Sequence, residues 1–121
     1  MDYQILALVI IPIFDFHRSY NVLTIGTIKE FQNLMKDLYL ERDQKRGLDK
    51  TLLWLQSEQG ELVDAYLKKD LSSIEEEIAD VFAWLCSVCN LLDIDLEQVI
   101  WTKYPKVCPK CGKSPCICPN K

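Results

Sequence analysis

Residues 49–92 read DKTLLWLQSEQGELVDAYLKKDLSSIEEEIADVFAWLCSVCNLL, and this stretch decides the architecture. Its apolar positions recur three and four apart, with none of the strict alternation of a half-buried strand, so it reads as two helices. The first runs from about Asp49 to Lys69 with Leu52, Leu55, Leu62 and Tyr66 on one face. The second begins at Ser72 or Ser73, each followed three residues later by a glutamate, and continues through Ile74, Ile78, Val81, Leu85, Val88 and Cys89 to about Leu92. The few residues between them fold the pair back as an antiparallel hairpin. Both helices carry apolar residues on more than one face, which an isolated hairpin cannot bury. We therefore expect a bundle completed by a second copy, as a homodimer or homotetramer.

Upstream, Thr27 caps a further helix while Glu30 closes the box, and Ile28, Phe31, Leu34, Met35 and Leu38 form its apolar stripe until Gly47 supplies a stop. Downstream, Asp95 with Gln98 opens a short helix carrying Leu96, Val99 and Ile100, which must stop before Pro105. The fold class is all-α, an antiparallel helical bundle of about four helices. Its helical domain spans residues 26–105, after an apolar extension at 1–25 and before a cysteine-rich tail at 106–121. The apolar run Ile5 to Phe14 is too short for a membrane span and is interrupted by Pro12. Asp2 stands where a secretory signal has a basic start, so a cytoplasmic protein with no membrane partner is expected. His17, the single histidine, stands outside any motif.

A chain of 121 residues has room for one core. Its 14 Lys and Arg against 18 Asp and Glu, net −4, leave no basic surface for a nucleic-acid backbone. Small anionic substrates remain open to it, because a bound cation inverts the sign of an acidic cleft.

Two acidic pairs at the same spacing lie in the hairpin: Glu58 with Glu61, and Glu77 with Asp80. Residues three apart share a helix face, so packing the helices brings four carboxylates together, and that many like charges need a cation. Oxygen-only ligation without histidine selects a hard ion, Mg2+ or Mn2+. Magnesium ordinarily shares its shell with phosphates, which points to a polyphosphate substrate. Acid pairs of this kind also arise on solvated helix faces. Gly60, between the first two acids, costs about 1 kcal/mol in a helix interior and suggests close backbone approach. Stepping back by fours from Glu58 reaches Trp54 and then Lys50, an order that suits metal, base and phosphate, although tryptophan at this spacing, Trp84 included, is commonly core.

The stretches ERDQKRGLDKTLLWLQSEQGELVDAYLKKD and IEEEIADVFAWLCSVCNLLDIDLEQV are similar to the MazG-like all-α nucleotide pyrophosphohydrolases, over about residues 27 to 104. The family signature is Glu-Glu-x-x-Glu with a glycine before its third glutamate, then Glu-x-x-Asp. By this resemblance Glu58, Glu61, Glu77 and Asp80 are the catalytic magnesium ligands. Ser57 departs from the first glutamate, with Glu76 a nearby replacement. Of the family's lysine, asparagine and arginine on the last helix, only Lys103 is matched, and Lys50 with the Asp43 and Arg46 cluster could compensate. The resemblance implies cleavage of a nucleoside triphosphate between its α and β phosphates, in nucleotide-pool house-cleaning. Alternatives are a phosphoribosyl-ATP pyrophosphohydrolase-like enzyme and a non-catalytic zinc-bearing helical adaptor.

Residues 108–118, CPKCGKSPCIC, place Cys108, Cys111, Cys116 and Cys118 in a short span. Cys-Pro-x-Cys-Gly is a knuckle pattern, and four thiolates suit a structural, closed-shell zinc more than disulfides in a reducing cytosol. Cys86 and Cys89, in mid-helix, read as buried small hydrophobes.

Overall fold

The structure, a computed structural model, describes residues 26–120, so the apolar run Ile5 to Phe14 and His17 lie outside the described residues. Within them are four helices and no strand: α1 (Ile28–Arg46), α2 (Leu48–Leu67), α3 (Leu71–Leu91) and α4 (Leu96–Lys103). The all-helical reading of the sequence holds, and α2 and α3 form the expected hairpin.

Side-chain chemistry sets most of the boundaries. Thr27 accepts the Glu30 amide at 3.1 Å while the Glu30 carboxylate accepts the Thr27 amide at 2.7 Å, so the capping box closes as its sequence requires. Gly47 sits at φ 86°, a left-handed conformation that ends α1 and turns the chain into α2 with no other linker. The start of α3 differs from its sequence reading. Asp70, not Ser72 or Ser73, is the cap: its carboxylate accepts from the Ser73 amide at 3.2 Å and the Ser73 hydroxyl at 2.8 Å. With two carboxylate oxygens Asp70 takes both the amide and the hydroxyl of Ser73, which a single serine oxygen at the cap could not hold in the same way. Asp95 caps α4 through the Gln98 amide at 3.0 Å.

α3 is the central element, packed along α2 on one side and α1 on the other. Met35, Cys86, Cys89 and Leu96 form the buried core, with Ile28, Phe31, Phe82, Ala83, Leu85 and Ile100 packed around it. Cys86 is fully buried and its thiol is pushed up to about 11 by that burial, as befits a small hydrophobe and not a ligand. The buried amide of Gln32 ties three elements together. Its nitrogen donates to Asn90 Oδ1 at 3.0 Å and to the Ile94 carbonyl at 2.8 Å, and its oxygen accepts the Leu96 amide at 2.9 Å. This tie fixes how far α1 slides along α3, and with that which α1 side chains reach the acidic groove.

Candidate functional site

The hairpin register assembles the site. Across the hairpin Trp54 of α2 stacks on Trp84 of α3, and Glu58 of α2 meets Glu77 and Asp80 of α3. Glu58, Glu77 and Asp80 each bring one carboxylate oxygen to within 4.8 Å of the others. Glu61 lies outside this trio, on an exposed part of α2, although its charge acts on both Glu58 and Glu77. Burial, followed by repulsion from Glu61, holds the carboxyl groups of both Glu58 and Glu77 above their ordinary value.

Three observations bear on whether these residues fit a metal. Glu77 Oε2 is buried without a hydrogen-bond partner, an orphaned acceptor that a cation would satisfy. The donors are all carboxylate oxygens, the hard set that Mg2+ prefers. The three oxygens lie within 4.8 Å of one another, near enough to turn toward a single ion. The residues fit the ion.

Trp84 organises the next layer. Its indole N–H donates to Glu58 Oε1 at 3.0 Å, which fixes that carboxylate's direction and partly opposes the rise in its proton affinity. Trp54 stacks on Trp84 with ring centroids 5.8 Å apart and planes 11° from parallel, and Trp54 remains 49% exposed. It is therefore no core residue. The Arg46 guanidinium lies 4.6 Å from the Trp84 ring centroid and donates to Asp43 Oδ1 at 2.8 Å and to Thr51 Oγ1 at 3.4 Å. Asp43, at 2% exposure, and the fully buried Thr51 make this a pre-set arginine rather than a mobile surface cation.

Beside these groups is a cavity of about 270 Å³, lined by Met35, Tyr39, Arg42, Asp43 and Arg46 of α1 and by Asp80, Ala83, Trp84 and Ser87 of α3. It thus joins a ligand-set carboxylate, two guanidinium groups and two aromatic rings. Tyr39 and Arg42 belong to no motif in the sequence; the one signal for Arg42 is its place four residues before Arg46, on the same helix face.

Other sequence candidates lie apart. Lys50 is exposed and outside the cavity lining. Lys103, on α4, sits 5.7 Å from the Tyr104 ring and is likewise outside that lining. Ser57 and Glu76 are exposed. Nothing among the described residues lies within 4 Å of a Cβ built on Gly60, so the close approach expected there is not made by them.

The four tail cysteines also converge, with one sulfur from each within 4.8 Å of the others. Among the described residues no helix is long and apolar enough to cross a membrane. A search of curated proteins finds no match to the chain. A family model described as the MazG nucleotide pyrophosphohydrolase domain matches residues 46–112, from the last residue of α1 through the hairpin and α4 to the glycine after Cys111.

Proposed function

The chain belongs to the MazG nucleotide pyrophosphohydrolase domain family, and from that premise we propose that it hydrolyses a nucleoside triphosphate, with magnesium, to a monophosphate and pyrophosphate. One observation carries this reading: the Glu58, Glu77 and Asp80 trio, with its orphaned buried oxygen, opens beside a cavity that offers arginines and aromatic rings.

Glu58, Glu77 and Asp80 would hold the Mg2+, with Glu61 adjoining them. The ion supplies Lewis acidity toward the phosphate and makes water a better nucleophile at neutral pH. Arg46, kept in place by Asp43 and Thr51, and Arg42 offset the charge of the triphosphate and of the departing pyrophosphate. Lys50 and Lys103 reach this chemistry only if substrate or a second copy extends to them. Trp54 and Tyr39, both substantially exposed, present ring faces on which a base can stack, while Trp84, covered by Trp54 and Arg46, backs them. Glu61, outside the trio and in its field, is the carboxylate free to accept the proton of the attacking water. Manganese, another hard ion, is expected to substitute.

We assign the working form to a homodimer or homotetramer, because α2 and α3 leave Leu52, Leu53, Val63, Tyr66, Leu67 and Ile78 exposed.

The test is incubation of purified protein and Mg2+ with a panel of standard and damaged ribo- and deoxyribonucleoside triphosphates, reading monophosphate and pyrophosphate. Turnover is expected for at least one, falling about 100-fold or more in Glu61→Gln. No product from any, with wild type and Glu61→Gln alike, favours the adaptor. Turnover of phosphoribosyl-ATP alone moves the assignment to that relative.

A further inference from the structure

The carboxylate groove absorbs the chemistry of the helical domain and leaves the tail unexplained. After Lys103 the chain has no regular element, and an apolar core is absent among its described residues: Tyr104, Val107 and Ile117 are all exposed. Something other than apolar burial must hold residues 104–120 in one shape. What the segment does have is a sulfur cage. Sγ of Cys108 lies 3.9 Å from that of Cys118 and 3.5 Å from that of Cys116, and the Cys111 and Cys116 sulfurs are 3.9 Å apart. Four thiolates on a tetrahedral zinc, each at about 2.3 Å, stand about 3.8 Å from one another. The observed spacings bracket that edge. They are far longer than a sulfur–sulfur bond of about 2.05 Å. They are also too tight for a polynuclear iron–sulfur cluster, in which the cysteines divide between separate irons.

The backbone is arranged for ionised sulfur. Gly112, at φ 67°, lets its amide donate to the Cys108 carbonyl at 2.8 Å, while the Cys108 amide donates to the Lys113 carbonyl at 3.0 Å, closing the turn around the first cysteine pair. Amides of Lys110 and Cys111 point at the Cys108 sulfur, those of Lys113 and Ile117 at the Cys111 sulfur, and that of Cys118 at the Cys116 sulfur at 3.4 Å. Charge follows the same logic. From Gln98 to the last residue the sequence has no Asp or Glu, while Lys103, Lys106, Lys110, Lys113 and Lys121 all fall there, in a chain whose overall charge is −4. A zinc bound by four thiolates carries a net double negative charge, which such a lysine-rich, acid-free surround offsets.

We infer that Cys108, Cys111, Cys116 and Cys118 bind one structural Zn2+, and that this ion, in place of a hydrophobic core, folds the tail of the protein. The protein fills all four positions, so the ion is closed to substrate and has no part in hydrolysis. Metal binding and folding of residues 104–120 are one equilibrium.

The full-length protein, purified without chelators, is assayed for metals by mass spectrometry. One zinc per chain is expected. After zinc is displaced with a mercurial, the mercury is taken off with excess dithiothreitol and both are removed, added cobalt(II) should give the absorption of a tetrahedral thiolate-bound ion. The double variant Cys108→Ser/Cys118→Ser loses the zinc and the cobalt spectrum, while Cys86→Ala/Cys89→Ala and Glu77→Gln keep one zinc each. The Glu77→Gln arm separates this site from the carboxylate groove, so an inactive but zinc-loaded protein leaves the tail assignment intact. Zinc absent even after reconstitution, iron in its place, zinc retained by the Cys108→Ser/Cys118→Ser protein, or zinc lost with Glu77→Gln overturns it.

Discussion

At Glu77 three constraints meet: one carboxylate oxygen is buried without a partner, burial raises the group's proton affinity, and Glu61, Glu58 and Asp80 repel its charge. Glu58 is held up in the same way, burial first. Both groups bind protons more tightly in the folded chain than the ordinary value of 4.5. The folded state therefore carries more protons than the unfolded one just above that value, and stability must fall as pH rises through the window. Asp70 and Asp95, lowered by their caps, work in the opposite sense, but below about their ordinary 3.8. Without added magnesium, thermal melts should show the melting temperature declining from pH 4.5 toward neutrality. Magnesium should restore it at pH 7 and do little at pH 4.5. Glu77→Gln should flatten the decline and abolish the magnesium response; a response that survives the substitution places the ion elsewhere. These acids could be read from the sequence because residues three apart must share a helix face. Tyr39 and Arg42 could not, because what brings them to the groove is the register of α1 on α3, set by the amide of Gln32 far along the chain.

For the helices as elements, the signals written locally were the legible ones. The Thr27 box, the Asp95 cap and the Gly47 break stand where their sequence put them. Asp70 displaced Ser72 and Ser73 because two candidate caps in succession compete with the residue ahead of them, and the aspartate also captures the Ser73 hydroxyl. The face of α2 was harder to assign. Leu52 and Tyr66, placed by their spacing on the apolar face of α2, are exposed, and Trp54, placed on one stripe with Lys50 and Glu58 where core was the competing reading, stacks on Trp84. Helical spacing tells which residues share a face but not whether anything covers it. Gly60 belongs to the same question. With open space around a Cβ there, Gly60→Ala should stabilise α2 by up to about 1 kcal/mol, raising the melting temperature by several degrees. If activity drops while the melting temperature rises, substrate or a second copy approaches that backbone. A fall in melting temperature instead would contradict the open environment.

In the molecule as a whole, the described core is small for its length. Its buried apolar residues are Met35, Ala65, Cys86, Val88, Cys89 and Leu96, while the α2–α3 hairpin shows a broad apolar surface to solvent. A domain this size has little stability to spare, and covering that surface is worth roughly 25 cal/mol per Å². Light scattering on the eluting protein should give a mass of two or four chains. Leu53→Glu/Val63→Glu, placed on the exposed face, should shift it toward the 14.1 kDa single chain. A wild-type protein that runs as a monomer at micromolar concentration would remove the assembly from the account. All of this rests on two helices holding one hard cation between them. A crystal soaked with manganese and measured at its absorption edge tests that directly. The anomalous peak should lie between the carboxylates of Glu58, Glu77 and Asp80, beside the cavity that contains Arg42 and Arg46. Carboxylates turned away from one another, with no peak among them, would contradict it.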